Sequence, residues 1–97
     1  MSKRELIAKH RDAILALAAR HGATDVRLFG SVARGDDDAE SDVDAIVRFV
    51  NGGTLAGLCG LAEDLERLLG CKVDLLTDHS GMRPRLREQV MQEAVAV

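Results

Sequence analysis

Two aspartates one residue apart, Asp42 and Asp44, open an apolar run that reaches Phe49. A Gly-Ser pair, Gly30-Ser31, follows directly on another apolar run, Val26-Arg27-Leu28-Phe29. If the run from Asp42 is a strand, alternate residues share a face, so both carboxylates project together. Two carboxylates side by side repel, and each favours protonation or solvation over isolation. A divalent cation removes the conflict, and Mg²⁺ is commonly held by one or two carboxylates together with substrate phosphates. Gly-Ser at a strand-to-helix turn offers backbone N–H groups, a hydroxyl and room for a phosphate to come close. One end of the stretch from Gly30 to Asp44 therefore suits a phosphate, and the other suits the metal a phosphate carries. Asp74 stands further on among apolar neighbours, in Cys-Lys-Val-Asp-Leu-Leu. Aspartate is depleted in strands. Alone it reads as a strand-end charge reaching solvent, but beside an upstream Asp-x-Asp it is the expected third carboxylate.

Positioning these groups requires a sheet with helices around it. Leu6, Ile7, Ala13, Ile14, Leu17 and Ala18 recur at helical spacing between Lys3 and Arg20, with Ser2 as N-cap, Glu5 completing a capping box and Gly22 as the stop. His10 and His21 fall on or beside this helix and read as structural. Val26 to Phe29 is the first predicted strand, and Ser31 to Arg34 a short helical turn ended by Gly35. Asp36 to Glu40 is an exposed acidic loop. Val43 to Val50 is the second strand, with Val43, Ala45, Val47 and Phe49 on one side and Asp42, Asp44, Ile46 and Arg48 on the other. Asn51-Gly52-Gly53 breaks it. Thr54 then caps a helix whose apolar stripe is Leu55, Leu58, Leu61, Ala62, Leu65, Leu68 and Leu69, closed by Gly70. Gly57 and Gly60 weaken that helix by about 1 kcal/mol each relative to Ala, so its start is either frayed or approached by another backbone. Cys71 to Leu76 is the third strand, and Asp78 to Gly81 a loop. Pro84 starts a last helix with Leu86, Val90, Ala94 and Val97 inward. Arg83, Arg85 and Arg87 crowd its first turn, where the dipole disfavours cations; this reads as a solvated face or an external anionic contact. Helix, strand, turn, strand, helix, strand, helix makes a small α/β (α+β) sandwich, expected as one domain over residues 1–97.

Composition narrows the function classes. Apolar residues form 46% and charged ones 30% of the 97 residues, ordinary for a globular chain. Two Phe and no Trp or Tyr leave no platform for stacking single-stranded bases. The net charge is −3, and six of the nine residues from Asp36 to Asp44 are acidic, which argues against direct nucleic-acid binding. No run approaches the roughly 20 apolar residues of a membrane span, and the start is not a secretory signal. Cys59 and Cys71 lack metal-site spacing and read as buried free thiols, as expected in a reducing cytoplasm.

The run Gly30-Ser31-Val32-Ala33-Arg34-Gly35 followed by Ser41-Asp42-Val43-Asp44 resembles the signature of the DNA polymerase beta-like nucleotidyltransferase superfamily, Gly-Ser, ten residues, then Asp-x-Asp. In its fuller form it is similar to the minimal nucleotidyltransferases, antitoxin partners of HEPN-domain toxins. The resemblance covers almost the whole chain. It implies a mixed three- to four-stranded sheet with carboxylates on its exposed face. It also implies AMP transfer from ATP with two Mg²⁺ ions, Asp42 and Asp44 bridging both and Asp74 binding the one that activates the nucleophile. Gly30 and Ser31 would hold the β- and γ-phosphates, while Arg34 either adds charge there or pins the acidic loop. Larger relatives carry a further domain for the acceptor, and none is expected here. The implied acceptor is therefore a hydroxyl, tyrosine above all, on a HEPN toxin. These 97 residues contain no tyrosine of their own. The rival expectation is a non-catalytic module that neutralises the toxin by occlusion, a role that needs none of Gly30, Ser31, Asp42, Asp44 and Asp74.

Overall fold

Local signals set most element ends in the structure, a computed structural model that describes residues 2–38, 40–50, 54–78 and 83–97. Ser2 caps α1 (Lys3–Lys9) by accepting the Glu5 N–H at 3.1 Å. The predicted helix over Lys3–Arg20 is in fact two. His10 leaves helical geometry at φ −101° and ψ 17°, and α2 (Arg11–Arg20) follows. Ile7, Ile14 and Ala18 are buried, but Ala13, at the margin of the predicted stripe, is exposed, and Leu15 packs on the core in its stead.

Strand β1 (Ala23–Phe29) runs into α3 (Gly30–Arg34), which Gly35 ends. Strand β2 is Val43–Phe49, and the next element, α4 (Leu55–Leu69), is capped by Thr54, which accepts the Gly57 N–H at 3.0 Å. Strand β3 is Val73–Thr77, two residues later than the predicted start at Cys71. The predicted breaker Asn51-Gly52-Gly53, the side chain of Leu55 and the loop from His79 to Gly81 lie outside the described residues.

The chain's last stretch departs most from expectation. Helix α5 (Pro84–Glu93) stops before Ala94, whose φ −65° and ψ 132° are extended, and Val95–Ala96 forms a strand, β4, on the edge of β1. Leu86, predicted to face inward, is 43% exposed, whereas Val90 is buried. Ala94 and Val97 thus lie beyond the helix predicted to carry them. Ala-Val-Ala-Val alternates as readily as it spirals, and an edge strand with unpaired backbone groups decides in favour of pairing. Val95 and Val97 then both pack on the core, which is the period of a strand.

Among the described residues the sheet has four strands in the order β3-β2-β1-β4, with β1–β2 and β1–β4 antiparallel and β2–β3 parallel. One face carries Val26, Leu28, Val43, Ala45, Val47, Phe49 and Val73 against Ile7, Ile14, Ala18, Leu61, Leu65 and Leu69 of α1, α2 and α4. The other carries Asp44, Ile46, Phe29 and Asp74, and α5 packs against β1 and α3 beside it. The period-2 division of β2 read from sequence therefore holds. Cys71 is half-buried, but Cys59 is exposed, contrary to the expected burial. Among the described residues no helix is long and apolar enough to cross a membrane.

Candidate active site

Antiparallel pairing folds the ends of the Gly30–Asp44 stretch onto one another. Phe29 pairs with Asp44, so Gly30, the next residue, lies beside the Asp44 carboxylate. Gly30 has φ +72°, in the left-handed region, and a Cβ there would collide with Asp44 Oδ2 and crowd Cγ at 3.2 Å. Only glycine meets both conditions. The parallel pairing of β2 with β3 then sets Asp74 directly opposite Asp44. Neighbouring strands lie about 4.8 Å apart, so two aspartates in register on one face stand side by side.

Electrostatics register this crowding. The Asp44 carboxyl is pushed above its ordinary 3.8 by burial, then by the charge of Asp74 and that of Asp42, with Arg34 opposing. Asp42, just ahead of β2, is half-buried, and Asp74 is exposed. The turn before Asp42 is built by Asp38 and Ser41. The Asp38 N–H donates to Ser41 Oγ at 2.9 Å, Ser41 Oγ donates to Asp38 Oδ1 at 3.2 Å, and the Ser41 N–H donates to the Asp38 carbonyl at 3.2 Å. Lys3 Nζ donates to the same carbonyl at 2.7 Å and ties the loop to α1. The acidic loop thus includes a structured turn that delivers Asp42.

Among the described residues no three Asp, Glu, His or Cys close into a metal-holding cage. Asp44 and Asp74 in register with Asp42 at their flank form instead an open, all-oxygen donor set. Mg²⁺ takes such sets when substrate phosphates and waters complete its octahedron, so the residues present fit that ion.

Arg34 is doubly engaged: Nε donates to Asp36 Oδ2 at 3.2 Å and Nη1 to Glu93 Oε1 at 3.1 Å. It pins the start of the acidic loop, one of the two roles open for it, while staying close enough to Asp44 to influence its proton. Arg48 shares the carboxylate face but donates to Asp78 Oδ2 at 3.1 Å, and Arg87 donates to Asp78 through Nε at 2.8 Å and Nη2 at 3.2 Å. Hydrogen bonds from Arg87 and then Arg48 hold the Asp78 carboxyl below its ordinary value. That anion explains a cation in the first turn of α5; Arg83 and Arg85 are exposed.

Neither histidine belongs to the site. His10 lies at the α1–α2 break, and His21 Nε2 pairs with Asp64 Oδ2 at 2.7 Å across α2 and α4. The glycines of α4 receive it: a Cβ on Gly60 would lie 3.0 Å from the His21 ring, and one on Gly57 3.8 Å from the His21 carbonyl. Close approach is therefore real at Gly60, but a side-chain ring makes it and not the backbone that was expected; the backbone contact at Gly57 is an ordinary van der Waals one. What sequence reasoning missed is Glu93, whose Oε2 accepts the Gly30 N–H at 3.3 Å. A contact across 63 positions leaves no local pattern to read.

The sequence pattern of the nucleotidyltransferase domain matches residues 7–97. The chain is 37% identical, over 84% of its length and 81% of the relative's, to the protein adenylyltransferase MntA of Thermococcus cleftensis. It is also 37% identical, over 87% of its length and 89% of the relative's, to a candidate protein adenylyltransferase of Methanocaldococcus jannaschii. A solved structure of a candidate minimal nucleotidyltransferase superposes with a TM-score of 0.85 at 48% identity, covering 100% of this chain and 97% of that one. The same fold recurs, at 21% identity and a TM-score of 0.69, in a complex of a tri-AMPylated Shewanella oneidensis HEPN toxin with its MNT antitoxin, covering 92% of this chain and 69% of that one.

Proposed function

This chain belongs to the nucleotidyltransferase domain family, and from that membership we propose that it is the antitoxin of a HEPN toxin pair, transferring AMP from ATP to a hydroxyl of the toxin, tyrosine first. The observation that carries the reading is the register of β2 and β3, which sets Asp44 beside Asp74, with Gly30 against Asp44. Structural relatives that are toxin–antitoxin complexes, one with AMP-PNP and one with the toxin AMPylated, support the partner and the donor.

Transfer is an in-line displacement. The acceptor oxygen forms a bond to the α-phosphorus, the bond from that phosphorus to the pyrophosphate oxygen breaks, and the hydroxyl proton goes to a base. Bound Mg²⁺, held by Asp42, Asp44 and Asp74, would stabilise the entering and leaving oxygens. Asp74, the exposed member of the set, faces an arriving acceptor and takes its proton. The Gly30 N–H and the Ser31 hydroxyl orient the β- and γ-phosphates, and Arg34 adds positive charge once freed from its carboxylate partners.

The deciding experiment incubates the HEPN toxin with a substoichiometric amount of this protein, with and without ATP and Mg²⁺, and assays the toxin after separation. Inactivation that requires ATP, outlasts separation and adds AMP units to the toxin mass is the expected result. Inhibition only at one-to-one ratios, equal without ATP and lost on separation, would mean occlusion by mass action and end the catalytic reading.

A further inference from the structure

The groups that would seat the nucleotide's phosphates are already engaged by a carboxylate of the same chain. Glu93, the last residue of α5, accepts the Gly30 N–H through Oε2 at 3.3 Å and Arg34 Nη1 through Oε1 at 3.1 Å. One oxygen takes a backbone N–H and the other a guanidinium N–H, the pattern two non-bridging oxygens of a phosphate would make. Gly30 and Glu93 both line an open cleft of about 470 Å³ between β1 and α5, with Phe29, Leu86 and Val90. The Arg34 and Glu93 side chains are 49% and 41% exposed, so water competes for the pair and a ligand can reach it. Just beyond Glu93 the backbone is fixed by the pairing of β4 with β1, while the carboxylate itself is left free to turn.

We propose that Glu93 is an internal stand-in for the triphosphate: it holds the Gly30 N–H and Arg34 when no nucleotide is bound and must swing aside before ATP can seat. The inference rests on the reading of Gly30 to Asp44 as the nucleotide site. The N–H cannot donate fully to two acceptors, and a carboxylate beside a polyphosphate is repelled by it. Glu93 therefore sets the concentration at which the donor nucleotide occupies the site without touching the reacting atoms. A residue that only held Arg34 in place for phosphate would have the opposite effect on affinity, which makes the sign of the change decisive.

The test measures binding of ATP, inorganic tripolyphosphate and adenosine to the full chain, wild type and Glu93→Gln, with Glu93→Ala as a second variant and thermal melts as the check on folding. Release of an exposed, charge-assisted contact predicts that both variants bind ATP and tripolyphosphate about three- to tenfold more tightly, with adenosine unchanged. The apparent KM for ATP falls by the same factor, and the gain shrinks when Arg34→Ala is already present. Unchanged or weaker tripolyphosphate binding by folded Glu93→Gln would overturn the proposal while leaving the site in place. Failure of folded wild type and variant alike to bind ATP would remove the nucleotide site itself and the proposal with it.

Discussion

Asp44 is held in a state that its own fold disfavours. Burial first, then Asp74 and Asp42, raise its carboxyl above the ordinary 3.8. A raised native value means that the folded chain binds this proton more tightly than the unfolded chain does. Stability therefore falls as pH climbs from 3.8 through the native value, and the deficit persists at neutral pH. Asp44→Asn should accordingly keep or raise Tm at pH 7, by a few degrees at most, with the difference vanishing below 3.8, while AMP transfer drops by roughly 10³-fold or more. Unfolding of this variant in a melt at pH 7, or undiminished transfer, would refute the assignment. Asp74→Asn should separate binding from chemistry. As the exposed member, proposed to take the acceptor proton, it should leave ATP affinity within about threefold. Turnover should fall by about 10²–10⁴-fold. Calorimetric titration with ATP beside a transfer assay distinguishes this from a parallel loss of both, which would put Asp74 in the donor site. These residues were legible because two of the three lie in one fifteen-residue stretch and the third breaks the chemistry of its own strand. Glu93 was not, since its partners are chosen by tertiary packing alone.

Among the elements, α4 shows where helix propensity yields to contact. Gly60 costs α4 about 1 kcal/mol relative to Ala, yet a Cβ there would stand 3.0 Å from a His21 ring that is held by Asp64 at 2.7 Å. That hydrogen bond also lowers the Asp64 carboxyl, so its stabilisation is present above 3.8 and is lost as pH falls below it. Gly60→Ala should therefore lower Tm in the wild-type background. In a His21→Ala background the same change should raise stability by up to about 1 kcal/mol, as the propensity gain goes unopposed. A double-mutant cycle by urea unfolding at pH 7 checks it, and equal effects in both backgrounds would show that the close approach is not what keeps the glycine. Sequence carried the presence of α4, its Thr54 cap and its Leu61-Leu65-Leu69 stripe, because period and capping are local. It did not carry the break at His10 or the end of α5, where apolar residues continue at helical spacing and only the tertiary context ends the helix.

At the scale of the whole molecule, the C-terminal strand ties the edge of the sheet to α2. Strand β4 covers the outer edge of β1, the Val97 N–H donates to the Val26 carbonyl at 3.2 Å, and Arg11 Nε donates to the Val97 carbonyl at 2.9 Å. Pairing of this kind removes an exposed strand edge, a template for association. Val95→Pro should abolish the β4 ladder without touching the main core residues. The expected outcome is concentration-dependent association in sedimentation velocity together with faster amide exchange at Leu28, whose backbone faces Val95, and unchanged exchange at Arg27, which faces β2; a monomer with wild-type exchange would count against a protective role for β4. The parallel register of β2 and β3 reaches furthest. Val43 pairs with Val73 and Asp44 with Asp74, so the valines buried in the core and the aspartates on the other face are fixed by one alignment. A slip of one residue along β2 would turn the Asp44 carboxylate into the core and expose Val43, Val47 and Phe49. Core packing thus works as quality control on the site: a chain that has zipped up wrongly forfeits its hydrophobic gain before it can present a misaligned carboxylate face, and a chain stable enough to accumulate has Asp44 and Asp74 side by side.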